Sequence, residues 1–348
     1  MLGFFKKKII SLIINRMVDK PLVRSVNHPK LKDIKQSTKN IFKSFGNNNL
    51  DKTFYVIRIN YGGGIFSILL YVLSQIRVAE SMNAIPVIDM ENFSTKYNEL
   101  NKIKKTFNSW DYYFEPISKY SLKEVYSSKF VIINAGAPTD EAPKNWKQDP
   151  EIFNLYFKKY IKIKKEFIRA SNAFAKKHFH NKKVLGVHFR GKGMYNTPNH
   201  PFTPTPKQMF KKIDQYLSKY NFDKIFLVTA QKNYLDLIKK RYGKKVCYCN
   251  SFRTNTTRAF HYSNARLNHR YKMGRDIIIE MLLLSKLNKL ICSRSNVSEL
   301  AVLLSENKDF EVYEIWNGVN TNKILLGLIL WDIKRLLPEW IGGFKKNI

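Results

Sequence analysis

Cysteine is nearly absent: Cys247, Cys249 and Cys292 are the only three in 348 residues. Three thiols cannot build a disulfide framework, because one is always left over, and a reducing, cytoplasmic setting follows. Cys247 and Cys249 lie one residue apart without a second thiol or histidine pair at zinc spacing, so no structural metal is expected. Acidic side chains are scarce as well, with 27 Asp plus Glu against 61 Lys plus Arg and a net charge of +34. That balance favours anionic partners, whether nucleic acid, an anionic lipid surface or phosphorylated small molecules. An arginine-rich recognition helix and an aromatic RNA platform are both missing, which leaves nucleic acid as the least expected of the three. No apolar run is long enough to span a bilayer, and no internal repeat is present.

What is present suits packed interiors: 44% hydrophobic residues, with 24 Phe and 19 Tyr. The length suits two domains of roughly 150 residues each. Strand signals at 53–59, 85–90 and 129–134, with helices at 65–83 and 150–179, make one α/β unit. A second begins with the strand at 184 and alternates through helix 207–219, strand 224–229, helix 232–242 and strand 245–248. Helix 274–284, strand 289–292, helix 297–304 and strand 310–315 complete it in the doubly wound rhythm. The long polar segment 250–271, rich in Asn, Thr, Arg and His, breaks that rhythm and reads as a functional loop. The expected division is an N-terminal helix and linker over 1–45, an acceptor domain over 46–180, a nucleotide-binding domain over 181–322 and a C-terminal helix over 323–348.

Both ends are amphipathic. Leu2, Phe4, Phe5, Ile9, Ile10, Leu12, Ile13 and Ile14 alternate with Lys6, Lys7, Lys8 and Arg16, as in a helix lying in a membrane interface. Segment 324–348 has similar character, and packing on the protein's own core is the other role open to each.

The densest chemistry lies in Val184-Leu185-Gly186-Val187-His188-Phe189-Arg190-Gly191-Lys192-Gly193, an apolar strand whose polar groups gather at its carboxyl end. Arg190 can give a phosphate two parallel hydrogen bonds, Lys192 adds a point charge, and Gly191 and Gly193 are expected to let a ligand approach the backbone. The earlier turn, Tyr61-Gly62-Gly63-Gly64-Ile65, is not G-x-G-x-x-G, so a nicotinamide cofactor is a minor option.

From Val184 to Asn317 the chain resembles the fucosyltransferase superfamily that includes α-1,6-fucosyltransferases, nodulation fucosyltransferases and protein O-fucosyltransferases. The resemblance rests on Gly186-Val187-His188-Phe189-Arg190 followed by His200-Pro201 and Lys207-Gln208-Met209, and on Ile225-Phe226-Leu227-Val228-Thr229. It continues in Asn268-His269-Arg270-Tyr271 with Gly274 to Ser285, and in Leu290-Ile291-Cys292-Ser293-Arg294-Ser295-Asn296. It implies an α/β GT-B fold of two Rossmann-like domains facing across a cleft, and inverting sugar transfer with neither cofactor nor metal. By position, Arg190 would bind the donor diphosphate, His188 the nucleotide, Glu280 the base or ribose, and Ser295 with Asn296 a phosphate at a helix N-terminus.

Three departures accompany these matches. Gly191-Lys192-Gly193 replaces the family's Arg-following Thr-Asp-Lys, Ala230-Gln231 replaces an Asp pair, and Met194 to Asn199 contains no acid to serve as base. His200 is then the candidate to deprotonate the acceptor, with Lys192 beside Arg190 in the catalytic set and Asp89 or Glu91 in reserve. The resulting expectation is a bacterial-type glycosyltransferase that takes a GDP-linked sugar, GDP-fucose as first guess. Its acceptor would be a surface glycan or glycolipid such as lipopolysaccharide or capsule, at the inner face of the cytoplasmic membrane. Another nucleotide-sugar donor and a noncatalytic sugar- or nucleotide-binding relative are the alternatives.

Overall fold

A computed structural model describes residues 28–345 apart from 32–33, 35–36, 38, 60–61, 138–148, 192–193, 195–196, 257–258, 263–264 and 308. The N-terminal amphipathic segment and Lys192 lie outside the described residues. The chain forms two α/β units: one holds the described residues up to Glu166 with those of 263–275, the other 167–262 with 276 onward. The division therefore falls at 166/167 rather than near 180, and a piece of the polar loop joins the first unit.

The first unit contains β1 (Ile41–Lys43), β2 (Asn48–Ile57), α1 (Ile65–Ser81), β3 (Ile85–Ile88), α2 (Leu122–Val125), β4 (Ser128–Ile133) and α3 (Pro150–Tyr160). Its sheet order is β1-β4-β2-β3, with β2 parallel to both neighbours and β1 antiparallel at the edge. Phe54, Tyr55, Val56 and Ile57 are consecutive and buried, as a central strand covered on both faces requires. The expected single helix over 150–179 is two, α3 and α4 (Lys165–His178). Ile163 pairs with Phe114, Glu115 N–H donates to Lys162 O at 2.9 Å, and Lys164 N–H donates to Tyr113 O at 3.0 Å. These bonds draw 161–164 into extended backbone that no local helix signal opposes strongly enough.

The second unit runs β5 (Val184–His188), α5 (Pro206–Tyr220), β6 (Lys224–Val228), α6 (Lys232–Tyr242) and β7 (Val246–Cys247). It continues through α7 (His269–Leu284), whose first seven residues group with the first unit, then β8 (Lys289–Cys292), α8 (Asn296–Leu303), β9 (Glu311–Glu314) and α9 (Ile324–Leu336). All neighbouring strands are parallel, in the order β7-β6-β5-β8-β9. From β5 the chain winds to one side through β6 and β7, then returns past β5 to build β8 and β9 on the other. The crevice between the carboxyl ends of β5 and β8 is the topological switch point, where open α/β sheets bind ligands.

The core of this unit packs Leu185, Val187 and Phe189 against Met209, Ile213, Ile225, Leu227, Ile238 and Ile291. Local signals agree with the packing. Thr205 and Gln208 form a capping box at the start of α5, Pro206 occupies its first turn, and Asn221 closes it with φ 48°. Gly186 is required by space, since a Cβ there would lie 3.0 Å from Leu287 Cδ1.

Candidate active site

All five residues of β5 are buried, and the side chains beyond its tip alternate. Phe189 is fully buried and stacks on Tyr234 with centroids 4.0 Å apart, which turns His188 and Arg190 away from that core. The main chain at the tip is pinned on both sides: Phe189 N–H donates to Val228 O at 2.9 Å and Ser293 N–H to His188 O at 3.4 Å.

Arg190 is half-buried and makes no hydrogen bond or ion pair with any described residue. Desolvation lowers its pKa to about 10, so it stays cationic at neutral pH. A guanidinium taken largely out of water is costly unless an anion accompanies it. His188 is buried, and desolvation followed by the Arg190 charge lowers its pKa to about 3. Its imidazole is therefore neutral across the physiological range, with Nδ1 3.3 Å from Ser295 Oγ.

Ser295 ends the loop after β8 and caps α8: its Oγ accepts from Ser298 N–H at 3.2 Å. Glu299 N–H bonds Ser295 O, which leaves the Asn296 and Val297 amides of the first turn without a described partner. The half-buried Asn296 side chain begins that turn. Amides without a described partner at a helix N-terminus make an anion site, and the Ser295–His188 contact brings this one to the tip of β5, two residues before Arg190.

Two buried atoms without partners mark the same edge. Gln231 Oε1 follows the β6 tip and Ser293 Oγ follows the β8 tip, and neither finds a hydrogen bond although both residues are 2% exposed. Buried polar groups are almost always paired, so orphans on either side of β5 mark a place where a ligand or water supplies the bond. Gly191 plays a different part from the one its sequence suggests. A Cβ there would lie 1.8 Å from Gln231 Cγ, so the space beside it belongs to Gln231, not to a ligand.

Beyond the β6 tip stands a second buried cluster. Glu280, from α7, accepts a hydrogen bond at Oε1 from Ser251 Oγ at 2.7 Å, and Arg253 Nη2 lies 3.5 Å from the same oxygen. The Glu280 and Arg253 side chains are 4% and 6% exposed. Arg253 also donates to Thr229 O at 3.1 Å, Cys249 O at 3.0 Å and Ser251 O at 2.9 Å, which ties it to the ends of β6 and β7. Burial outweighs Arg253 and Ser251 and, with Asp276 one turn away, raises the Glu280 pKa to about 7. The loop residue Thr254 bonds the Ala230 carbonyl at 3.1 Å and bridges Gln231, so this cluster is continuous with the β5 tip. Sequence reasoning missed Gln231, Ser251, Arg253 and Ser293 as site residues; the polar composition of the 250–271 loop was the only signal for the middle two.

His200 is exposed as a residue. It is nonetheless crowded enough that desolvation, then the Arg190 charge, lowers its pKa below 6.5. Its main chain is fixed, with N–H donating to Thr197 O at 3.3 Å and its carbonyl accepting from Asn320 N–H at 2.9 Å. Asp89 is excluded as a reserve base. Its Oδ1 accepts from the Glu91 and Asn92 amides and its Oδ2 from Asn92 Nδ2 and Tyr126 Oη, so a fully buried carboxyl is used up in folding the turn after β3.

No protein-family model and no curated protein matches the chain. Among solved structures it is similar to the α-1,6-fucosyltransferase NodZ from Bradyrhizobium, at 16% identity over 72% of this chain and 92% of that one, TM-score 0.45. It is also similar to Arabidopsis thaliana FUT1 in complex with GDP, at 12% identity over 77% and 72%, TM-score 0.43. A third is POFUT1 in complex with GDP-fucose, at 11% identity over 76% and 73%, TM-score 0.37.

Proposed function

We propose that the chain is a glycosyltransferase that takes its sugar from a nucleoside-diphosphate donor held at the carboxyl edge of the second sheet. The carrying observation is Arg190: a desolvated guanidinium with no ion-pair partner among the described residues, at the strand tip that His188 joins to the N-terminus of α8. A diphosphate supplies the missing charge. In the reaction an acceptor hydroxyl oxygen attacks the anomeric carbon, the bond from that carbon to the diphosphate oxygen breaks, and the electron pair leaves with the nucleoside diphosphate. Attack opposite the leaving group inverts the anomeric centre. Charge builds on the diphosphate in the transition state, where Arg190 and the helix amides stabilise it. The acceptor's proton goes to His200, held in the neutral form a base requires.

The motif resemblance supports GDP-fucose as first donor to try and a surface glycan or glycolipid as acceptor. Isothermal titration with GDP, UDP, ADP and CDP, followed by donor-cleavage assays on the matching nucleotide sugars, tests the reading. Binding of one diphosphate with slow release from its sugar conjugate is the expected result; no binding across the panel would sink it. Tight binding without cleavage or transfer would instead favour a noncatalytic relative, the reading suggested by the acid-free stretch before His200.

No helix among the described residues is long and apolar enough to cross a membrane. The α9 helix nevertheless supports attachment to a membrane surface. It buries Trp331 against Phe202 and Phe344 and turns Leu325, Leu326, Ile329, Ile333 and Leu336 outward, with Trp340, 84% exposed, just beyond it. Lys323 and Arg335 flank the stripe, and each such cation contributes about 1 kcal/mol near anionic lipid. Leu325→Asp with Ile329→Asp should abolish salt-sensitive co-sedimentation with phosphatidylglycerol vesicles; unchanged partition would remove this helix from any membrane role.

A further inference from the structure

The Glu280 carboxylate is buried yet only half-occupied. Both of its described partners, Ser251 Oγ and Arg253 Nη2, converge on Oε1, and Oε2 accepts no hydrogen bond from any described residue. Arg253 is itself immobilised, because three backbone carbonyls at the ends of β6 and β7 fix its guanidinium and the Tyr248 ring lies 5.3 Å from its Cζ. Turning the carboxylate out of this plane would break the Ser251 bond and leave a half-buried serine hydroxyl without its partner.

We propose that Ser251 and Arg253 are positioning residues that clamp Oε1 of Glu280 so that Oε2 is held toward the nucleoside half of the bound ligand. This rests on the nucleoside-diphosphate reading above and on the base or ribose contact that the resemblance implies for Glu280; the clamp supplied by Ser251 and Arg253 is the added part. A single fixed carboxylate oxygen selects a hydrogen-bond donor, which on a nucleoside is a ribose hydroxyl or a base N–H. The fold gives the direction. The donor reading puts the phosphates at the β5/β8 crevice, and the Glu280 cluster lies one and two strands away from β5, at the β6 and β7 ends, on the side reached through Gln231. The long polar loop is thereby given work: it carries both clamp residues into the sheet edge.

The test compares affinities for GDP, UDP and inorganic pyrophosphate in the full-length parent and in Ser251→Ala, Arg253→Lys and Arg253→Gln. Loss of an oriented bond to a charged group should weaken nucleoside-diphosphate binding about tenfold. Pyrophosphate, which has no nucleoside, should bind every variant within about twofold of the parent, a split that a merely structural role would not produce. Arg253→Lys should recover little, since an ammonium cannot reach three carbonyls and a carboxylate at once. Loss confined to GDP assigns the contact to the base, and equal loss of GDP and UDP assigns it to the ribose; either supports the clamp. Ser251→Ala is the decisive variant if the arginine variants unfold, because it removes one oxygen. Parental GDP affinity in Ser251→Ala, or parallel loss of GDP and pyrophosphate, would overturn the clamp while leaving the donor site standing. A parent that binds pyrophosphate but no nucleoside diphosphate, or neither, would overturn the donor reading and this inference with it.

Discussion

Arg190→Ala should slow sugar transfer by roughly 100- to 1,000-fold, the loss of about 3 to 4 kcal/mol that follows removal of one preorganised donor to a developing anion. Arg190→Lys should recover little, because an ammonium cannot give a phosphate two parallel hydrogen bonds. Nucleoside-diphosphate affinity should fall with the rate. Stability without ligand should hold or rise, since the guanidinium has no described partner whose loss would be felt. Removing the charge should also let the pKa of His188 and of His200 move up toward 6.5, because Arg190 depresses both. Thermal melts with and without GDP, single-turnover transfer and histidine titration by NMR read all four effects. Near-parental transfer would eliminate the diphosphate site as drawn, and collapse of the ligand-free protein would make Arg190 structural.

The second large effect is on stability, and its sign depends on pH. Glu280 keeps its proton to about pH 7 in the folded protein, whereas an ordinary glutamate in the unfolded chain releases it near 4.5. Between those values the native state binds more protons, so this group makes stability fall as pH rises, with the full cost present above pH 7. Glu280→Gln keeps an oxygen for Ser251 and Arg253 without the charge. It should stabilise the ligand-free protein by about 3 kcal/mol at pH 8 and have no effect below about pH 4.5. The same variant should bind GDP less tightly, since the ligand loses a charged acceptor. A gain in stability with a loss in binding is the signature of a residue kept for function at a cost to the fold. Denaturant unfolding at pH 4.5 and pH 8 decides it: a gain of equal size at both would mean that charge burial is not the cause.

Much of the second unit was legible without coordinates because its signals are local. Val184–His188, Lys224–Val228 and Lys289–Cys292 are short apolar runs between turn residues, and two of the helices among them follow capping residues, Thr205 and Ser295. The polar groups gathered at the end of an apolar run also made the strand tip readable, which is how Arg190 is singled out from its residue type, whereas His188 and Ser295 are named through the family resemblance. Helix 150–179 failed because the pairing that breaks it, Ile163 with Phe114, joins residues about fifty positions apart and leaves no local trace. Residues 269–271 run with the first unit for a similar reason. Arg270 Nη1 donates to Lys96 O at 2.7 Å and Tyr113 stacks on Tyr271 at 5.8 Å, contacts no sequence window contains.

The site divides along the same line. Chain chemistry determined that a cation would stand at the end of a buried strand, because residue type and a period of two suffice for that. Only the tertiary structure decided what surrounds it. Gly191 is glycine because Gln231, forty positions on, fills the space its side chain would take. Arg253 and Ser251 converge on one oxygen of Glu280 because the sheet order carries a loop after β7 and a helix before β8 to the same edge. A sequence determines which groups can donate, accept or carry charge. Which of them remain without a partner once buried, and so are left for a ligand, is set by the packing of distant segments.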